Sequence, residues 1–326
     1  MRAIVCDAWG PPETLTLKEL PSPPLGAGEV RIRIRAAGVN FPDVLMIYGK
    51  YQRKPPFPFT PGLEMAGEVV EVTSGVTHLK AGDRVFGMCG VGGFASEIVM
   101  RADMVWKMPE AMSWIEGAAF PVVYLTSYYA LNNRAKLKAG ETLLVLGAAG
   151  GVGLTACEIG AAMGADVIAV ASTAEKRALA AQYGARRQID YGPARLRDSV
   201  NELTGGKGAD VIYDPVGGDA FDECLRCIAW GGRLLVVGFA SGRIASAPAN
   251  LLLLKGAELR GIRTAGWREQ FPHEADVAMQ GVLALYSAGK LRPYVSTVLP
   301  LEKAPDALKI LDGRQATGKV VLDVDA

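Results

Sequence analysis

The run Val145-Leu146-Gly147-Ala148-Ala149-Gly150-Gly151-Val152-Gly153 carries the strongest chemical signal in the chain. It follows a strand pattern and opens a helical one. Glycines there let the backbone turn tightly and approach a pyrophosphate, and the helix N-terminus supplies N–H groups and positive potential. The run therefore predicts a dinucleotide site. A strict G-x-G-x-x-G would need Gly at 148, where this chain has Ala. The strand that follows bears on the choice of nucleotide. A carboxylate at its C-terminal end would bind a ribose 2′-hydroxyl. Here the strand ends Ala171-Ser172-Thr173, Asp166 lies at its other end, and Lys176 and Arg177 follow. A hydroxyl and a lysine suit a 2′-phosphate, so NADPH is expected over NADH. The competing reading makes Lys176 a plain exposed helix lysine.

Other chemistries are poorly supplied. The two histidines, His78 and His273, stand apart and read as surface residues. Cys224 and Cys227 form a C-x-x-C inside a predicted helix, without a second pair, whereas a structural zinc takes four ligands. No G-x-S-x-G elbow is present. Hydride transfer needs neither metal nor nucleophile when the substrate is already electrophilic.

Three stretches must position these residues. The first, to about residue 110, is β-rich. Val30 to Arg35 alternates apolar and basic residues, a strand with one buried face. Its row of Arg31, Arg33 and Arg35 reads as a solvated or salt-bridged surface. Proline-rich loops fill 21–24 and 55–62, and short strands are expected at 67–72 and 83–86. The second stretch, 113–262, opens with a capping box, Ser113 and Glu116, and Pro121 restarts or kinks that helix. Strands at 142–147, 166–172, 209–217 and 233–239 then alternate with helices at 154–164, 174–184 and 221–232. That alternation predicts an α/β fold with a parallel sheet covered on both faces. The last stretch closes with a strand at 319–324.

The bulk properties agree with a two-domain enzyme or ligand binder of 326 residues. Half the residues are hydrophobic, and 35 basic side chains nearly cancel 34 acidic ones. A net charge of +1 offers no footprint for nucleic acid or an anionic membrane. No apolar run approaches the roughly 18 residues of a membrane span, and the N-terminus does not read as a signal peptide. Five scattered cysteines suit a reducing cytoplasm.

Across nearly its whole length the sequence resembles the zinc-independent medium-chain dehydrogenases/reductases of the NADPH:quinone oxidoreductase, zeta-crystallin-like branch. The resemblance rests on MRAIV at the N-terminus, AAGVNFPDVLMIYGKY (36–51), PFTPGLEMAGEV (58–69), AGDRVFG (81–87), GAAGGVG and ATGKVVL (316–322). The zinc alcohol dehydrogenases carry Cys where this chain has Asn40 or its neighbours. They carry Gly-His-Glu where it has Gly62-Leu63-Glu64, and their four-cysteine lobe is missing.

The resemblance implies a GroES-like β-rich catalytic domain from 1–122 and 266–326, around a Rossmann-type doubly wound parallel sheet at 123–265. It places the active site in the cleft between them. Gly150, Gly151 and Val152 match pyrophosphate contacts, and Ser172, Lys176, Tyr191 and Arg314 match the 2′-phosphate region. Thr126, Asn40, Gly238 and Phe239 match the nicotinamide side. Tyr51, with Asn40 and Asp43 in the adjoining segment, matches the region where related enoyl-thioester reductases keep a catalytic tyrosine. In quinone reductases the same tyrosine looks like a cofactor or pocket contact. Tyr48 is a second candidate close by. Asn40 and Tyr51 are thus the expected catalytic pair.

The implied activity is NADPH-dependent reduction of quinones or α,β-unsaturated carbonyls without metal, in a homodimer formed through the edge strand near Leu259–Ile262. Two alternatives stand beside it. One is an enoyl-thioester reductase, which would need an apolar channel and a basic patch, with the arginine row as the only basic crowd. The other is a non-catalytic crystallin-like or RNA-binding NADPH protein.

Overall fold

The computed structural model describes residues 1–191 and 195–326. They divide into two compact units, Met1–Val122 with Pro293–Ala326, and Val123–Arg292.

The first unit is built on a seven-stranded sheet with the path Val295–Pro300, Lys319–Asp323, Glu29–Val39, Glu64–Val72, Arg84–Met88 and Val105–Lys107. A further strand, Glu97–Arg101, pairs with Glu29–Val39. The period-two reading of that central strand holds. Val30, Ile32 and Ile34 are buried in the core, and the arginines lie on the opposite face. Arg31 pairs with Glu71 at 3.1 Å and Glu97 at 2.7 Å. Arg35 pairs with Asp325 at 2.8 Å and Glu68 at 3.4 Å. The two chain ends meet in this sheet, because Lys319–Asp323 runs antiparallel to Glu29–Val39.

The second unit holds a six-stranded parallel sheet in the order Arg187–Asp190, Asp166–Ala171, Thr142–Leu146, Ala209–Asp214, Ile228–Val236, Glu258–Gly261. Numbered along the chain this is 3-2-1-4-5-6, the doubly wound Rossmann order. Thr142–Leu146 is buried throughout, as a central strand covered on both faces must be. The strand direction of crossover reverses between Thr142–Leu146 and Ala209–Asp214, and ligands of such sheets bind outside the carboxyl ends at that point.

The Ser113 cap forms as expected: its hydroxyl accepts from the Glu116 N–H at 3.2 Å, and its own N–H donates to the Glu116 carboxylate at 2.8 Å. The chain restarts as a second helix at Pro121. Two expectations are corrected. The helix expected over 221–232 ends at Cys227, and Ile228–Val236 is strand. Ile228 there pairs with Ala209, and Gly231 takes a φ of 70°, outside the helical range. The second unit also runs to Arg292, not to 265. The helices Thr264–Gln270 and Pro272–Ser287 belong to it. Trp267 stacks on Tyr129 with ring centroids 4.0 Å apart, and Gly281 leaves room for the Tyr128 hydroxyl. Among the described residues no helix is long and apolar enough to cross a membrane.

Candidate functional site

In the second unit, the residues singled out from sequence collect at the carboxyl ends of successive parallel strands. Gly147 leaves the first strand with a φ of 57°. Gly150 precedes the helix Gly151–Ala162 and donates its N–H to the Gly147 carbonyl at 2.9 Å. A Cβ on Gly153 would collide with that same carbonyl, so only glycine lets the helix pack on the turn. A Cβ on Gly150 would meet nothing within 4 Å except the Gly147 oxygen at 3.4 Å. The turn is therefore open on the Gly150 side. Gly150, Gly151 and Val152 are half-buried. The first-turn N–H groups have no acceptor inside their own helix. Open backbone beside unpaired donors at a positive helix end fits a dinucleotide pyrophosphate. Ala148 is buried and donates its N–H to Val170 at 3.1 Å, which holds the turn onto the neighbouring strand without a glycine there.

The second strand ends at Ala171, followed by exposed Ser172. Thr173 caps the next helix by accepting from the Lys176 N–H at 3.2 Å, which sets the half-buried Lys176 side chain in the first turn. Arg177 reaches back to the Ala171 carbonyl at 3.3 Å and pairs with Asp190 at 2.8 Å. Asp190 is a carboxylate that sequence reasoning did not weigh. It ends the strand Arg187–Asp190 in register with Ala171 and is charge-paired. Asp166, at the far end of its strand, pairs with Arg187.

Tyr191 directly follows the third strand. Its hydroxyl end lies against the Gly147 backbone N–H, and burial pushes its pKa up. It therefore meets the glycine-rich turn itself. Gly238 and Phe239 follow the fifth strand. The N–H groups of Val237 and Gly238 donate to the Asp214 carbonyl at 2.9 and 3.4 Å. A Cβ on Gly238 would sit 3.2 Å from the Pro215 oxygen, and Phe239 is partly exposed. Asp214 was not anticipated. Its buried carboxylate, with a pKa raised by burial, accepts the N–H groups of Val216 at 2.7 Å and Gly217 at 2.8 Å and so fastens this end of the sheet. The signal was present in Asp214-Pro215-Val216-Gly217-Gly218, a turn with two successive glycines of positive φ. Thr126 lies in a helix, and the Thr264 hydroxyl donates to its oxygen at 3.1 Å.

The first unit places Asn40 in a closed polar cluster. Its amide nitrogen donates to the Glu64 carboxylate at 2.8 Å and to the Gly38 carbonyl at 3.3 Å. Its amide oxygen accepts from Lys319 Nζ at 2.7 Å. Lys319 also donates to Glu64 at 2.7 Å and the Val39 carbonyl at 2.9 Å. The second Glu64 oxygen accepts from the Val122 N–H at 2.8 Å. Asp43 closes the cluster by accepting from the N–H groups of Asn40 at 2.8 Å and Gly62 at 3.2 Å, and burial pushes its carboxyl up to about 8. Both amide hydrogens of Asn40 are engaged. Its carboxamide ties the residue before the helix Phe41–Ile47 to Gly38, Glu64 and Lys319, makes no bond to the helix itself and has no donor left over.

Tyr51 follows Gly49, whose φ is 66°, and its ring packs partly buried against the core of this unit. The Tyr48 hydroxyl donates to Asp312 at 3.0 Å, and burial and that carboxylate raise its pKa. Arg314 is exposed in a left-handed conformation, φ 55°, and belongs to the first unit, whereas Ser172, Lys176 and Tyr191 belong to the second. Among the described residues no three His, Cys, Asp or Glu side chains converge as a metal site requires.

Two family models match the chain, the alcohol dehydrogenase GroES-like domain over residues 26–110 and the zinc-binding dehydrogenase domain over 151–279. The chain is 42% identical over 325 residues to the quinone oxidoreductase-like protein 2 homolog of Nematostella vectensis, covering 99% of this chain and 88% of that protein. It is 34% identical to the quinone oxidoreductase of Homo sapiens, covering 99% and 97%. Among solved structures, the Escherichia coli quinone oxidoreductase complexed with NADPH superposes with a TM-score of 0.92 at 32% identity, covering 99% of this chain and all of that one.

Proposed function

This chain belongs to the quinone oxidoreductase family of the medium-chain dehydrogenases/reductases, and we propose that it is an NADPH-dependent reductase of quinones or α,β-unsaturated carbonyls that works without metal. The observation that carries this reading is the glycine-rich turn at the switch point of the parallel sheet. It is followed by Ser172 and Lys176 where an unpaired carboxylate would otherwise disfavour a 2′-phosphate. The E. coli relative complexed with NADPH supports the same cofactor.

Gly150, Gly151 and Val152 offer backbone N–H groups to the pyrophosphate. Ser172 and Lys176 take the 2′-phosphate, an assignment that for Arg314 rests on resemblance alone. Tyr191, by its bond to Gly147, holds the turn in shape for the nucleotide. Thr126, Gly238 and Phe239 form the nicotinamide side. When bound, NADPH supplies the hydride and leaves as NADP+. Tyr51 hydrogen-bonds the substrate oxygen on which negative charge develops and delivers a proton to it. Asn40 acts by tying the chain just before the helix Phe41–Ile47 in place, since its donors are engaged within the protein.

The edge strand Glu258–Gly261, with exposed Leu253, Leu254 and Trp230 in the same unit, is proposed to pair with a second copy. Light scattering at micromolar concentration then gives a homodimer mass, and a monomer mass contradicts this. Five free thiols suit a cytoplasmic setting. The arginine row supplies no free basic patch for an enoyl-thioester's phosphates, because Arg31 and Arg35 are neutralised by carboxylates.

The test is turnover of chelator-treated protein with NADPH against a panel of quinones, enones and enoyl thioesters. Quinone or enone reduction that survives the chelator is expected. Turnover confined to enoyl thioesters, or restored only by zinc, would overturn the reading.

A further inference from the structure

We propose that the turn Lys50–Lys54 selects substrates that carry an anionic group outside the reducible ring or enone, with Lys50, Arg53 and Lys54 receiving that charge beside Tyr51. The inference rests on the proposed role of Tyr51 as a substrate contact.

In the first unit eight of the sixteen lysines and arginines have a carboxylate partner. Arg31, Arg35, Lys18, Arg101, Lys107, Lys303, Lys309 and Lys319 all form ion pairs. Among the described residues Lys50, Arg53 and Lys54 find no carboxylate partner, and these three exposed cations fall within five consecutive residues. The carboxylates nearest along the chain are committed elsewhere. Asp43 and Glu64 are buried in the Asn40 cluster; Asp312, distant in sequence, accepts from Tyr48. Lys50 stands over the Tyr48 ring, 5.1 Å from its centroid. An uncompensated group of three charges persists in a chain whose net charge is only +1.

Placement makes the group chemically relevant. Lys50 adjoins Tyr51, and Arg53 and Lys54 follow two and three residues later, so their Cα atoms lie within roughly 11 Å of the Tyr51 Cα even when extended. The Arg53 guanidinium occupies the space that a side chain at Gly90 would need, and Gly90 has a φ of 74°. Gly90 therefore leaves room for Arg53, and the segment Cys89–Gly93 contains no acidic residue. An apolar wall adjoins the residue before the turn Lys50–Lys54. Trp9 and Phe57 are exposed and meet edge to face with centroids 4.4 Å apart, and Gly49 lets the Trp9 ring approach within 3.0 Å of where a Cβ would lie. Flat apolar surface beside unpaired cations suits an aromatic or conjugated body with a sulfonate, carboxylate or phosphate attached.

The experiment is calorimetric binding to protein saturated with NADP+, which occupies the nucleotide site. Anthraquinone-2-sulfonate is compared with neutral 2-(hydroxymethyl)anthraquinone. At low ionic strength the sulfonate is expected to bind about tenfold more tightly, and the advantage is expected to vanish in 0.5 M salt. The triple variant Lys50→Gln, Arg53→Gln, Lys54→Gln should lose the advantage while keeping the affinity for the neutral ligand. Arg33→Gln, an exposed arginine on the central strand, should retain it. An acyl-CoA that competes with the sulfonate would identify phosphate-bearing thioesters as the source of the charge; absence of competition would identify anionic quinones. Equal affinity for the two anthraquinones in the native protein, or a preference that persists in the triple variant, overturns the inference. The readout is binding, so absence of NADPH-driven turnover would defeat the proposed function without deciding this result.

Discussion

A conjugated carbonyl reduced at carbon leaves negative charge on its oxygen, and Tyr51 is the side chain proposed to meet that charge. A phenol has an ordinary pKa near 10, within reach of an enolate. Removing one such donor typically costs about 2.7–4 kcal/mol of barrier. Tyr51→Phe should therefore lower enone turnover roughly 10²- to 10³-fold while NADPH affinity stays within a few-fold. Quinones should lose less, because a hydroquinone anion is a weaker base that water can protonate later. Steady-state kinetics with cofactor titration separates the cases: an unchanged enone rate makes Tyr51 a pocket wall, and lost NADPH binding makes it a cofactor contact. Tyr51 was legible only through resemblance. The state of Asn40 was not legible at all, because its partners Glu64 and Lys319 arrive from strands far apart in sequence.

A second residue-scale prediction concerns Glu158. It is buried on the helix Gly151–Ala162, where it accepts from the Tyr124 hydroxyl at 2.7 Å and the Arg292 N–H at 2.8 Å. Burial pushes its carboxyl up to about 7. The folded protein thus holds a proton that the unfolded chain releases near its ordinary value of about 4.3. Stability falls as pH rises through that window, and the full penalty stands above pH 7. Glu158→Gln keeps an acceptor for Arg292 and a donor for Tyr124 without the charge. In urea denaturation the variant should exceed the native protein by about 1–3 kcal/mol at pH 8, and the gap should close near pH 4.5. Greater native stability at pH 8 would contradict the burial argument.

At the scale of elements, the glycine-rich turn separates folding from binding. Gly150 has a φ of −78°, which any residue tolerates, and open space where its Cβ would stand. Gly150→Ala should fold with a native melting temperature and bind NADPH weakly, because the methyl group intrudes where the pyrophosphate must approach. Gly153→Ala should lower the melting temperature as well, since its methyl collides with the Gly147 carbonyl. Calorimetric melting with cofactor titration reads both, and equal melting temperatures for the two variants would contradict the assignment.

The strand–turn–helix context of this run was plain in sequence, because periodicity and glycine spacing are local properties. The boundary at Cys227 and Ile228 was not. The apolar pattern Phe221 to Ile228 continues smoothly, and pairing with Ala209 ends the helix. Asp190 was missed for the same kind of reason: only strand register brings it beside Ala171.

At the scale of the molecule, alternating strands and helices announced the parallel sheet, and its 3-2-1-4-5-6 order places the expected nucleotide residues at the strands' carboxyl ends. The return of the chain to the first unit after Arg292 was not legible, because two further helices pack on the second unit without any change in composition. The central claim is that this site takes NADPH to reduce a quinone. Its most direct test is the ratio of kcat/KM for NADPH over NADH with 1,4-naphthoquinone as acceptor, measured for the native protein and for Lys176→Glu. A charge-assisted contact to the 2′-phosphate predicts a native ratio of at least about 10, brought near or below unity in the variant. A native ratio of one, or a preference for NADPH that the variant leaves untouched, would contradict the account.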